Sequence, residues 1–272
     1  MKSILGKVIV GIVVLGITCA LIAVDHYFRT SVGMFCLIAT VSALAQWEFY
    51  ALAGKDCVPS ASRITGVAFG LSYLAFHARL AGDRDLVAAT IPFLLAAIFF
   101  SHYMQRGYAG AMKGFAFGAA GFVYVPFMLG HIFDIRHAWG LKAALALMLI
   151  AKIGDTGGWA FGKLFGGPKL APRISPNKTK AGWAGSIVFT VAVAAISKAV
   201  GLLGFLGWGR VIALGAIIGA ITPLGDLAES MLKRDAAVKD SGLIPSMGGF
   251  LDLADSAIFS FPTAYYLMLA LT

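Results

Sequence analysis

Apolar blocks of about 17 to 24 residues recur from one end of this chain to the other, the length an α-helix needs to cross roughly 30 Å of hydrocarbon. A membrane-spanning strand is about half as long and alternates apolar with polar residues, so the blocks read as helices. A hydrophobic fraction of 59% in 272 residues, against about 45 to 50% in soluble domains, agrees. The sequence predicts an all-α integral membrane protein, a polytopic bundle of about nine transmembrane helices. The spans fall at roughly 4–24, 31–53, 64–80, 86–104, 114–133, 140–160, 183–206, 209–228 and 249–271. Lys2 and Lys7 precede the first block as they would in a secretory leader. No small-residue cleavage site follows before Asp25, so the block reads as a retained helix.

Charge sets the orientation. The amino terminus and the loops on its side of the membrane carry fourteen Lys and Arg residues, the opposite side carries seven, and Lys152 lies inside a span. The positive-inside rule places the richer side in the cytoplasm, and the expected location is a bacterial cytoplasmic (inner) membrane. The net charge of +9 suits loops that fix topology and touch anionic headgroups of membrane lipids. No basic run is interleaved with aromatics on a soluble element, so nucleic acid is not an expected partner. Cys19, Cys36 and Cys57 have no paired spacing, and the five histidines are scattered through the first half of the chain. Neither set suggests a zinc site or a disulfide framework.

Residues 1–140 read as a transmembrane scaffold with little assignable chemistry. Glu48, beside Trp47 and Tyr50, is expected to be an interfacial residue. Residues 141–272 read as a catalytic region with cytoplasmic loops at 161–183 and 229–248. Lys152 and Asp155 lie three apart, hence on one helical face, either as a self-neutralising pair or lining a hydrated cavity. The stretch Lys163 to Gly185 then holds three prolines and a set of cations, among them Lys169, Arg173 and Lys178, with Ser175, Asn177 and Thr179. Such a segment cannot continue a helix, and its hydroxyls, cations and backbone N–H groups suit a polyphosphate.

Residues 226–255 hold six of the thirteen acidic residues yet run into apolar sequence at both ends. Carboxylates at membrane depth cost about 2.5 to 3.5 kcal/mol each on insertion scales and need partners. Asp226 and Glu229 are three apart at one helix end, and Asp252 and Asp255 are three apart at the start of the last span. Four oxygen ligands suit a hard cation, with Mg²⁺ favoured where substrate phosphates complete the shell. Lys233, Arg234 and Lys239 between them would neutralise a phosphoryl group in transfer. Asp235 is expected to be solvated.

Here the chain resembles the CDP-diacylglycerol synthase (phosphatidate cytidylyltransferase) family. The resemblance rests on Ser230, Leu232, Lys233, Arg234, Lys239, Asp240, Pro245, Gly248, Gly249, Asp252 and Asp255. Two further blocks share it: Gly225-Asp226 with Glu229, and the stretch from Asp155 to Thr179. It implies a Mg²⁺-dependent reaction of CTP with phosphatidic acid, with Asp226 and Asp252 as principal metal ligands and Glu229 and Asp255 in support. Lys233, Arg234, Lys239 and Asp240 would be catalytic. Asp155, Lys169, Arg173, Ser175, Asn177, Lys178 and Thr179 would bind substrate. Whether a monovalent cation such as K⁺ accompanies Mg²⁺ stays open.

The chain departs from the family pattern at Met247, Leu253, Lys180 and Ala181, where His, Arg and a Trp-Glu pair are usual. The carboxylates are retained, which implies a divergent synthase. The alternatives are a CTP-dependent polyprenol or phytol kinase, an ether-lipid cytidylyltransferase, or an ion-coupled transporter. Gly215 and Gly219 form a GxxxG pair suited to contacts within the subunit or in a homodimer.

Overall fold

The computed structural model describes residues 20, 23–25, 27, 30–54, 57–80, 84–238 and 249–272. Among the described residues there are eight α-helices: α1 (Val32–Leu52), α2 (Ser60–Leu80), α3 (Arg84–Arg106), α4 (Ala111–Phe122), α5 (Met128–Phe165), α6 (Lys180–Ala199), α7 (Trp208–Asp235) and α8 (Phe250–Leu271). A π-helical turn, Val123–Phe127, joins α4 to α5, and a two-stranded antiparallel hairpin, β1 (Lys169–Ala171) and β2 (Ser175–Thr179), joins α5 to α6. The protein is thus helical, as expected, but the count of nine is not reached among these residues. Nearly all of the first expected span, 4–24, lies outside them. Four helical stretches are long and apolar enough to cross a membrane: Val32–Leu52, Ala111–Phe165, Lys180–Ala199 and Trp208–Asp235. The chain is a membrane protein.

Ala111–Phe165 is 55 residues long, far more than one crossing requires. It breaks at Gly140, whose φ of 84° and ψ of 174° interrupt the helical ladder at no Cβ penalty. That break falls at the first residue of the sixth expected span, 140–160. Upstream, the π turn contains Pro126, which has no N–H to give to a regular α-turn.

The described residues fall into two compact units, those of 1–130 with 239–253, and those of 131–238 with 254–272. In the first, a buried polar chain pins α1. Gln46 Nε2 donates to Tyr50 Oη at 2.9 Å and to the Gly66 carbonyl at 3.1 Å, and Tyr50 Oη donates to the Gly118 carbonyl at 3.0 Å. Glu48 departs from its expected interfacial position. It is 1% exposed, and its carboxylate accepts the backbone N–H groups of Phe250 at 3.0 Å and Leu251 at 2.8 Å. The start of α8 leaves N–H donors without intrahelical acceptors, and a carboxylate satisfies two of them while meeting the positive end of the helix dipole. Trp47 and Tyr50 gave no hint of this, because the partner is some two hundred residues away.

In the second unit, α6 packs between α5 and α7 through glycines. A Cβ on Gly157 would stand 2.8 Å from the Gly185 carbonyl oxygen, and one on Gly185 would stand 2.7 Å from that of Gly157. On the other face of α6, a Cβ on Gly215 would stand 2.8 Å from Val191 Cα and one on Gly219 2.7 Å from Ile187 Cα. The GxxxG pair therefore serves helix contact within one chain, and a homodimer would need another face.

The loops expected at 161–183 and 229–248 are shorter than the sequence suggested. α5 runs to Phe165, the hairpin occupies 169–179, and α7 continues to Asp235. Pro172 falls in the turn and Pro176 on an exposed strand position, so both prolines are accommodated without interrupting a helix. Thr179 then caps α6, its Oγ1 accepting the Gly182 N–H at 3.0 Å. Thr179→Ala is expected to lower stability by about 1 kcal/mol, measurable as a lower thermal midpoint in detergent, while Thr179→Ser keeps the wild-type value.

Candidate active site

Helical spacing builds one wall of a cavity. Asp155, Trp159 and Lys163 repeat every fourth residue on α5, and Gly154, Gly158 and Gly162 repeat beside them. With the second strand of the hairpin and the middle of α7, these residues enclose about 520 Å³, lined also by Ser175, Asn177, Lys178, Thr179, Pro223 and Asp226. Five of the seven residues expected to bind substrate thus face one space: Asp155, Ser175, Asn177, Lys178 and Thr179. Lys169 and Arg173 are exposed, at the start of β1 and in the turn, outside its lining. Trp159, Lys163 and Trp183 line it although the sequence reading gave them no role. Lys163 Nζ lies 5.2 Å from the Trp159 ring centroid, a cation–π pair. The period-four pattern from Gly154 to Lys163 was the signal that could have found Trp159 and Lys163.

Acidic groups converge around Asp226, one of the residues lining this space. Asp226, Glu229 and Asp255 each offer an oxygen within 4.8 Å of the others. Their elements meet because Gly225 brings the backbones of α7 and α8 together: a Cβ there would collide with the Asp255 carbonyl. Glu229 is 0% and Asp255 6% exposed. Asp255 Oδ1 accepts the N–H of Ser256 at 2.5 Å. Asp155 is within electrostatic reach of Asp226 and Asp255, and its side chain bonds that of Ser256.

Three lysines answer these carboxylates. Lys178 Nζ stands 2.5 Å from Asp226 Oδ2, Lys233 Nζ 3.0 Å from Glu229 Oε1, and Lys152 Nζ 3.8 Å from Asp155 Oδ2 and 3.3 Å from Ser256 Oγ. Lys152 and Asp155 therefore both pair and belong to a polar site, so the two readings of that spacing are compatible. Among the described residues, four carboxylates and three ammonium groups thus gather here, with Glu229 and Asp255 buried. An all-oxygen donor set of this kind fits a hard divalent cation such as Mg²⁺.

The remaining expected residues are placed as follows. Asp252 lies in the first turn of α8, where its Oδ2 accepts the Gly249 N–H at 2.7 Å. Arg234 is exposed near the end of α7, its Nε 3.5 Å from the Ile174 carbonyl in the hairpin turn. Asp235 is exposed beside it. Lys239, Asp240 and Met247 lie outside the described residues.

Comparison with known proteins gives consistent relatives. Phosphatidate cytidylyltransferase of Chlamydia muridarum is 33% identical over 183 residues, 63% of this chain and 59% of the relative. That of Bacillus subtilis is 35% identical over 162 residues, 57% of this chain and 60% of the relative. The Brucella suis protein of the same name is 37% identical over 153 residues, 54% of each chain. The chain thus spans 54 to 60% of the length of these curated relatives. The model of the Cytidylyltransferase family matches residues 6–271. With so little of the sequence left outside that match, the chain belongs to the cytidylyltransferase family.

Proposed function

We propose that this chain transfers CMP from CTP to phosphatidic acid, giving CDP-diacylglycerol and pyrophosphate. One observation carries the reading: a single cavity is lined both by carboxylates, Asp155 and Asp226, and by phosphate-binding groups, Ser175, Asn177, Lys178 and Thr179. Two anionic substrates meeting at one point need both kinds of group. The names of the relatives support the choice of substrates.

A phosphate oxygen of phosphatidic acid attacks the α-phosphorus of CTP. The bond from the α-phosphorus to its bridging oxygen breaks, and pyrophosphate leaves with that electron pair. Lys178 and the hydroxyls of Ser175 and Thr179 orient phosphate oxygens, and Lys163 and the exposed Arg234 add positive charge toward the incoming anions. Lys233 holds Glu229 in place. Lys239 adds a further cation and Asp240 is a further catalytic candidate beside it, with Lys169 and Arg173 as outer phosphate contacts. Asp226, Glu229 and Asp255 would hold Mg²⁺, and Asp252, one turn earlier than Asp255 on α8, is the fourth proposed ligand. When bound, the ion neutralises charge on the transferring phosphoryl group.

The full arrangement proposed is a nine-helix protein of the bacterial inner membrane, with the site facing the cytoplasm, where CTP is made. The excess of Lys and Arg on that side supports it. Purified protein given radiolabelled CTP, Mg²⁺ and phosphatidic acid is expected to release pyrophosphate and form a CMP-bearing lipid. Release of CDP with a newly phosphorylated lipid would identify a kinase instead.

A further inference from the structure

We infer that Glu48 is a positioning residue for the proposed metal site, holding the first turn of α8 in the register that presents Asp252. The inference rests on the proposal that Asp252 is a ligand. Glu48 lies in α1, whose orientation is fixed by the Gln46, Tyr50, Gly66 and Gly118 chain of hydrogen bonds. Its two carboxylate oxygens take two consecutive N–H groups, those of Phe250 and Leu251, which fixes both the height and the rotation of the helix start. A single bond would leave that rotation free. Asp252 follows the second bonded residue directly.

The anchor also stands at a demanding place in the chain. Residues 239–248, with Lys239 and Asp240, lead straight into Gly249 and Phe250. Asp252 supplies a local cap, accepting the Gly249 N–H at 2.7 Å. An aspartate that caps its own helix keeps one orientation only if the turn beneath it is fixed. Glu48 supplies that fixation from outside the helix. Groups that orient metal ligands without touching the metal change affinity or activity by about 10- to 100-fold when replaced.

Glu48→Gln is the informative variant. It keeps the shape and one acceptor but turns the second acceptor into an amide donor facing an N–H group. Full-length protein in detergent would be titrated with Mn²⁺ alone by electron paramagnetic resonance, and hydrogen exchange followed in the peptide covering 249–256. Binding about tenfold weaker than wild type, faster exchange in that peptide, and recovery of turnover at raised Mg²⁺ with little change in the KM for CTP are the expected results. If Glu48→Gln fails to fold, Glu48→Asp, which keeps the charge and both acceptors, is expected to show the same losses in smaller measure. A lower thermal midpoint with unchanged Mn²⁺ affinity and Mg²⁺ dependence would reduce Glu48 to a structural cap and overturn the inference. A wild-type protein that binds no Mn²⁺ and transfers no CMP would overturn the proposed function, and the positioning role with it.

Discussion

Asp226→Asn is expected to reduce Mg²⁺-dependent pyrophosphate release by about a hundred- to a thousandfold, the range seen when one preorganised electrostatic group is removed from a reacting centre, without unfolding the protein. The side chain of Asp226 is 37% exposed, so losing its charge does not strand a buried partner, and Lys178, 19% exposed in its side chain, keeps contact with water. The same substitution removes one of the three oxygens that lie within 4.8 Å of one another. Asn retains a single neutral oxygen, which lacks the carboxylate's charge and so holds a hard divalent ion less tightly. Asp252→Asn should behave likewise, since an amide oxygen still accepts the Gly249 N–H and preserves the local cap. Three measurements separate chemistry from folding: pyrophosphate release against Mg²⁺ concentration, Mn²⁺ affinity, and the thermal midpoint. Near-normal turnover in either variant removes that residue from the essential ligands.

Gly225→Ala adds one methyl group where the structure has no room for it. Its Cβ would meet the Asp255 carbonyl oxygen, with the Asp255 carbonyl carbon at 3.0 Å and Phe259 Cδ2 at 3.5 Å. Two of these three atoms are backbone, which cannot swing aside as a flexible side chain does, so α7 and α8 must separate. Overpacking of this kind destabilises by about 1 to 3 kcal/mol. The separation falls next to Asp226 and Asp255, so Mn²⁺ affinity should drop along with the thermal midpoint. Gly209, near the start of the same helix, has open space around its Cβ position, and Gly209→Ala is expected to leave both quantities unchanged. Equal effects from the two substitutions would mean that close packing at Gly225 does not shape the proposed metal site.

Helix type and approximate placement were legible because a bilayer imposes a length: a run such as 209–228 has few alternatives once strands are excluded. The ends were less legible. α7 extends to Asp235 because Lys233 pairs with Glu229 one turn before it, whereas hydropathy stops where charge begins. The hairpin at 169–179 was hidden for a related reason. Its strands are short, carry two prolines nearby and have no alternating pattern, so only their pairing defines them.

The site was legible to a different depth for different residues. Asp226 with Glu229, and Lys152 with Asp155, could be paired on paper, since helical spacing is local. Residue types alone also pointed from Ser175, Asn177, Lys178 and Thr179 to phosphate. The sequence by itself determined a helical membrane chain and a set of carboxylates and cations that require one another, because lipid tolerates neither open backbone nor unpaired charge. Only the tertiary structure decided that Lys178 reaches Asp226, that Asp255 completes a triad with Asp226 and Glu229, and that Glu48 fastens the start of α8. Each of those contacts joins distant parts of the chain, and the approach of α7 to α8 beside Asp255 depends on the missing Cβ of Gly225.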